Sequence, residues 1–143
     1  MIYTPLTVKA INLASRAHLN RLDENKLPEI FFVYSVASKT KNEYSFCVAM
    51  LFLAVEMKYL SFKRLKRDFP FEITDAINML ITDDSLSYPD YIRRIKTNEL
   101  ASQVKVIELE EKLALLNISK DKRMVAQKKE KYSFALNILF KNK

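Results

Sequence analysis

Apolar residues recur at helical spacing along almost the whole chain. Leu6, Ala10, Leu13, Ala14 and Ala17 fall three and four positions apart and line one face of a first helix. Thr4 suits its N-cap and Pro5 its first position, and the pattern ends near Asn20. The polar stretch Arg21 to Leu27 predicts a loop, after which Pro28 opens a second helix carrying Ile30, Phe31, Val33, Tyr34 and Ala37. Asn42 suits the cap of a third helix, Glu43 to Met57, which is apolar on nearly every side and is therefore expected at the centre of the others. Phe31, Phe32, Phe46 and Phe52 are all expected in the core.

From Ser61 the sequence SFKRLKRD predicts a short basic turn, and Pro70 precedes a helix running to about Thr82. The loop TDDSLS follows. Ser87 and Asn98 stand where caps are needed for helices near Pro89 to Thr97 and Glu99 to Leu116, and Ser119 is the expected cap of a last helix, about 119–141. There Met124, Tyr132, Ala135, Leu136 and Leu139 are placed toward the body and the lysines in water. No repeat and no linker interrupts the chain, so residues 1–143 are expected to form a single all-α bundle of about eight helices.

The chain contains no glycine, which removes Gly-rich phosphate loops and Gly-dependent hairpin turns. Its most apolar run, Phe46 to Val55, is shorter than the roughly 20 residues that a bilayer requires. The opening residues MIYTPLTVKA lack the layout of a signal peptide, so a cytoplasmic address without membrane insertion is expected. Cys47 lies inside the apolar run as a small buried hydrophobe. The formal charge of +7 is concentrated: Lys120 to Lys143 holds eight Lys or Arg against Asp121 and Glu130, which leaves the rest near +1. Neither this segment nor Lys63, Arg64, Lys66 and Arg67 is interleaved with aromatic platforms, and no helix-turn-helix signature accompanies them, so nucleic acid is not the expected partner.

The ordered segments resemble the small HD-domain phosphohydrolases related to the guanosine tetra- and pentaphosphate (alarmone) hydrolases, over about Thr4 to Asn117. The most specific stretch is DYIRRIKTNELASQVKV, Asp90 to Val106, where Asp90, Tyr91, Ile92, Arg94, Ile95, Asn98, Ala101, Val104 and Lys105 fall at the family's spacing. LASRAH (Leu13 to His18), the pair Pro28 and Ile30, AMLFLAVE (Ala49 to Glu56) and ITDDSLSYPDY add to it. The resemblance implies an all-α HD-type bundle whose second, third and seventh helices surround a metal cleft. In that family a His, a His-Asp pair and a later Asp hold one divalent ion, usually manganese, which activates a water for attack on phosphorus.

The same resemblance places Phe32 where the first His belongs, Phe52 and Leu53 where the His-Asp pair belongs, and Glu108 where the last Asp belongs. Three of these four cannot ligate a metal, and one carboxylate cannot hold a catalytic ion alone. The family's Glu-Asp pair survives as Glu56 with Met57 in place of the Asp, and its substrate-contacting Asn corresponds to Lys112. No metal cofactor is expected. The two aromatics at ligand positions are expected to fill the old cavity, Glu56 to be solvated or salt-bridged, and His18, the sole histidine, to be structural or exposed. For Glu108 two readings stay open: an ordinary ion pair, or a carboxylate whose metal has been replaced by Lys105 or Lys112.

The implied function is a catalytically degenerate homologue that binds a guanosine nucleotide or a protein partner through a cleft lined by Lys105 and Glu108. Two alternatives from other classes are a phosphohydrolase with an altered site and a basic nucleic-acid-binding module. The oligomeric state stays open.

Overall fold

A computed structural model describes residues 2–141; Met1, Asn142 and Lys143, included in the expected domain, lie outside the described residues. Among the described residues the chain forms eight α-helices: α1 (Pro5–Ala17), α2 (Glu29–Ser38), α3 (Glu43–Glu56), α4 (Phe62–Asp68), α5 (Phe71–Leu80), α6 (Tyr88–Lys96), α7 (Glu99–Leu115) and α8 (Lys122–Phe140). A 3₁₀ turn, Leu116–Ile118, links the last two.

Polar caps start most of these helices. Thr4 Oγ1 accepts from the Thr7 N–H at 3.1 Å while Thr7 Oγ1 accepts from the Thr4 N–H at 2.8 Å, and Asn42 forms the equivalent reciprocal pair with Ser45. Ser61, Ser87 and Asn98 cap α4, α6 and α7. Two expectations are corrected here. The segment after Ser61 is a full helix rather than a basic turn, because Ser61 caps it and Leu65 anchors it in the core. The last helix is capped by Asp121, which accepts from the Met124 N–H, and not by Ser119. In a chain without glycine, Asn20, Lys26 and Lys58 take the left-handed backbone at the turns, with φ of 61°, 62° and 64°.

The centre is α3. Every residue from Ser45 to Phe52 is buried, and α1, α2, α5 and α7 pack around it. Phe46 and Phe52 lie in this core as expected, whereas Phe32 is only half-buried and Phe31 is 62% exposed. The physical reason is angular: Val33, Val36 and Ala37 form the inner stripe of α2, and Phe31 shares the outer face with Ser38, seven residues on. The helix α8 is a looser layer. It rests on α6 and α7 and buries only Ala135 and Leu139, so its N-terminal half lies over the gap between α2, α3 and α7.

The stretch Asp90 to Val106 acts as a brace. Tyr91 donates its O–H to the Leu80 carbonyl at 2.5 Å, and Arg94 donates to the carbonyls of Met79 and Ile81, satisfying the open end of α5. Asn98 caps α7 and donates to Asp75 on α5. These contacts fix α7 against α5 and thereby set the position of Lys105 and Glu108.

Candidate functional site: a cleft centred on Glu108

Helices α2, α3 and α7 bring Phe32, Leu53, Glu108 and Lys112 to one place, with Phe52 immediately behind. At its centre Glu108 is buried. Lys105 Nζ lies 2.7 Å from its Oε1, and Lys112 Nζ lies 3.4 Å from its Oε2. Of the two readings left open, the structure contains both lysines around the carboxylate. Burial alone would raise the Glu108 carboxyl, but the charges of Lys105 and Lys112 outweigh it and hold it below the usual glutamate range. Burial also works against the Lys105 ammonium, and there Glu108 and Tyr91 prevail, so its pKa is raised. Tyr91 completes the arrangement by accepting from Lys105 Nζ at 3.4 Å through the oxygen whose proton goes to Leu80.

The expectation that aromatics fill the old cavity is corrected. Phe52 is 4% exposed and packs into the core, but open space remains on both sides of Glu108. A cavity of about 430 Å³ has an apolar wall of Phe32, Leu53, Leu116 and Met124 and a rim that includes Asp23, Glu24 and Glu29. A second cavity, about 350 Å³, lies toward the loop between α5 and α6 and is lined by Lys105, Lys131, Tyr88, Glu56 and Asp83 among others. Leu53, Glu108, Lys112 and Tyr132 belong to both.

The remaining expected residues divide. Glu56 is neither free nor salt-bridged: its Oε1 accepts from the backbone N–H of Thr82 at 3.1 Å and from its hydroxyl at 2.5 Å, tying α3 to the loop. Met57 caps the C-terminus of α3, is 46% exposed and lines neither cavity. His18 is buried, with Nδ1 2.5 Å from Glu29 Oε1 and its ring edge-on to Tyr59, so it orients a carboxylate of the larger cavity. Cys47 is buried, and burial, aided by the charge of Glu43, pushes its thiol up to about 12.

Nothing in this arrangement suits a divalent metal. Two phenylalanines and a leucine offer no donor, the single carboxylate already carries two ammonium partners, and among the described residues no three His, Cys, Asp or Glu side chains converge.

The lysines of α8 are exposed as expected, except that Lys128 is partly covered, and two of them also border the cleft. Lys128 and Lys131 line the larger and smaller cavities, with Lys131 Nζ 4.4 Å from the centre of the Tyr88 ring. Burial, followed by the nearby charges of Lys112, Lys105 and Lys128, lowers the Lys131 ammonium. The signal was present in the spacing of Met124, Lys128, Lys131, Tyr132, Ala135 and Leu139, a single stripe whose upper half faces the cleft and whose lower half faces the core.

No helix is long and apolar enough to cross a membrane among the described residues. No protein-family model matches the chain, and no curated protein matches it in sequence. A solved structure does: that of a metazoan ortholog of SpoT, which hydrolyzes ppGpp and plays a role in starvation responses, superposes with a TM-score of 0.77 over 97% of this chain and 85% of that one, at 15% sequence identity. The chain therefore has the all-α HD-domain-like fold of that ppGpp hydrolase.

Proposed function

We propose that this protein is a catalytically degenerate homologue of the HD-domain guanosine polyphosphate hydrolases that works by binding a guanosine nucleotide in the Glu108 cleft. The observation that carries the reading is the pair of ammonium groups, Lys105 and Lys112, on the buried Glu108 carboxylate, which the family resemblance aligns with a metal ligand. Hydrolysis through a metal-activated water requires donors that Phe32, Phe52 and Leu53 do not have.

Binding needs only shape and polar complementarity, and the larger cavity supports it. Its apolar lining, together with the carboxylates of Asp23 and Glu29, suits a planar purine whose edge donates N–H groups, as guanine does, and His18 and Tyr59 hold Glu29 in place for such a contact. Lys112 lines the same cavity and offers its ammonium to phosphate, while Lys128 pairs with Glu24 at 3.6 Å.

A thermal-shift screen of guanosine nucleotides, each with manganese and with a chelator, tests the reading together with metal analysis and a hydrolysis assay. Stabilisation by nucleotide in chelator without turnover is the expected result, about 2.7 kcal/mol at a hundredfold excess over Kd. Stoichiometric bound metal with turnover of guanosine tetraphosphate would restore the enzyme reading. No response to any nucleotide would transfer the role to a protein partner.

A further inference from the structure

A groove of about 1110 Å³ lies away from the cleft, where the turn between α2 and α3, the junction of α6 with α7 and the C-terminal end of α8 come together. It shares no lining residue with either cavity beside Glu108. Four lysines line it, Lys39 and Lys41 from the turn and Lys96 and Lys141 from the two helix ends, against one carboxylate, Glu99. Lys39 is already paired with Glu111, which lies outside the lining. Lys96 donates to the Lys141 carbonyl at 2.6 Å, a bond that leaves its charge uncancelled. Among the described residues Lys41, Lys96 and Lys141 form no ion pair, so three uncompensated ammonium groups stand against Glu99.

The groove is not purely polar. Val106 and Ile107 of α7 and Leu139 and Phe140 of α8 also line it, and Phe140 is 63% exposed. An exposed ring and aliphatic side chains beside unpaired charges have the composition of a recognition surface, with apolar contact for adhesion and charge for selection. The groove is also larger than the roughly 300 to 1,000 Å³ of most small-molecule sites, which suits a length of chain better than a compact ligand.

From this we propose that the groove is a docking site for an acidic segment of a partner protein, whose carboxylates meet Lys41, Lys96 and Lys141 while a bulky apolar side chain packs on Ile107, Leu139 and Phe140. The inference goes beyond nucleotide binding and does not depend on it, because the two sites are built from different residues. A nucleic-acid strand is a poorer match. Single-strand readers stack successive bases on aromatic platforms, and Phe140 is the one aromatic residue of the lining. Glu99 would also repel a backbone charged at every unit, whereas a peptide presents its carboxylates singly and leaves room for its apolar anchor.

The test is selection of a phage-displayed library of random peptides on the full chain, followed by affinity measurements on the enriched peptides. Enriched sequences are expected to combine Asp or Glu with Leu, Ile or Phe and to bind more weakly as salt rises. Lys41→Glu and Lys141→Glu are each expected to lose roughly tenfold in affinity, and Phe140→Ser a similar factor. Lys63→Glu, an equal charge change on α4, is expected to leave peptide binding unchanged. Lys41 and Lys141 are exposed and free of ion pairs, so their replacement leaves folding intact, which an unchanged melting temperature verifies. Absence of acidic enrichment, or affinity that survives both groove substitutions, overturns the docking site. Binding of oligothymidylate that is lost in the same two variants, with no peptide enriched, overturns it in favour of nucleic acid. Failure of the nucleotide screen leaves each of these outcomes readable.

Discussion

Lys105 and Glu108 lie one turn apart on α7, are both buried, and hold their charged atoms 2.7 Å apart against the hydroxyl of Tyr91. Each makes the other's burial tolerable, since an isolated charge at either position would face several kcal/mol of lost hydration. Lys105→Met or Glu108→Gln should therefore destabilise the protein by about 3 to 5 kcal/mol, and the double variant Lys105→Met, Glu108→Leu should recover most of the loss. Urea denaturation of the three variants measures it. The pH dependence has a definite sign. The folded Glu108 carboxyl is depressed, so its stabilisation is present above the unfolded glutamate pKa and is lost as pH falls through the folded value; the Glu108→Gln variant should lack this acid-side decline.

Phe52 and Phe31 test the packing. Phe52 lies in the core, so Phe52→Ala should cost about 3 to 5 kcal/mol, whereas Phe31→Ala should change stability by no more than about 0.5 kcal/mol. Equal effects at the two positions would show that the outer face of α2 is covered in solution.

Cys47 should be inert in the native protein. With the thiol raised to about 12, thiolate is scarce at pH 8, and burial denies access to a disulfide reagent. Labelling should proceed only through unfolding, giving a rate independent of reagent concentration at high excess; fast second-order labelling without denaturant would contradict the burial of α3.

Restoring the family's ligands should not restore hydrolysis. The variant Phe32→His, Phe52→His, Leu53→Asp and Glu108→Asp rebuilds four donors but leaves Lys105 and Lys112 beside the last of them and Met57 outside the cleft. Missing support around a metal typically costs 10- to 100-fold for each partner, and the new polar groups replace buried apolar area. Expected outcomes are lower stability than the parent without metal, partial recovery with manganese, and almost no turnover of guanosine tetraphosphate. Turnover near that of an intact hydrolase would overturn the binding-only reading.

Much of the framework was legible from local chemistry. Thr4, Asn42, Ser87 and Asn98 cap where their spacing to the next apolar stripe requires, and the unbroken apolar run of α3 identified the central helix. The misplacements have equally local causes. Ser119 and Asp121 are both competent caps two residues apart, and only the 3₁₀ turn after α7 decides between them. Phe31 is apolar by composition but points outward, since its neighbours Val33, Val36 and Ala37 already occupy the inner stripe.

Capping and periodicity act over three or four residues, and they were enough to give the all-α class and the helix order from the amino-acid chain, while the family resemblance pointed to Phe32, Phe52, Leu53 and Glu108. The spacing along α7 already put Lys105 and Lys112 within reach of Glu108; tertiary structure decided that Lys105 and Glu108 are buried, that His18 orients Glu29, and that Lys131 of α8 lines the cleft beside Tyr88. His18 meets a residue from a different helix, and Lys131 reaches its place through the docking of α8 on α6 and α7. Whether a lysine lies in water or against a buried carboxylate depends on which surfaces the helices cover, and local periodicity carries no record of that.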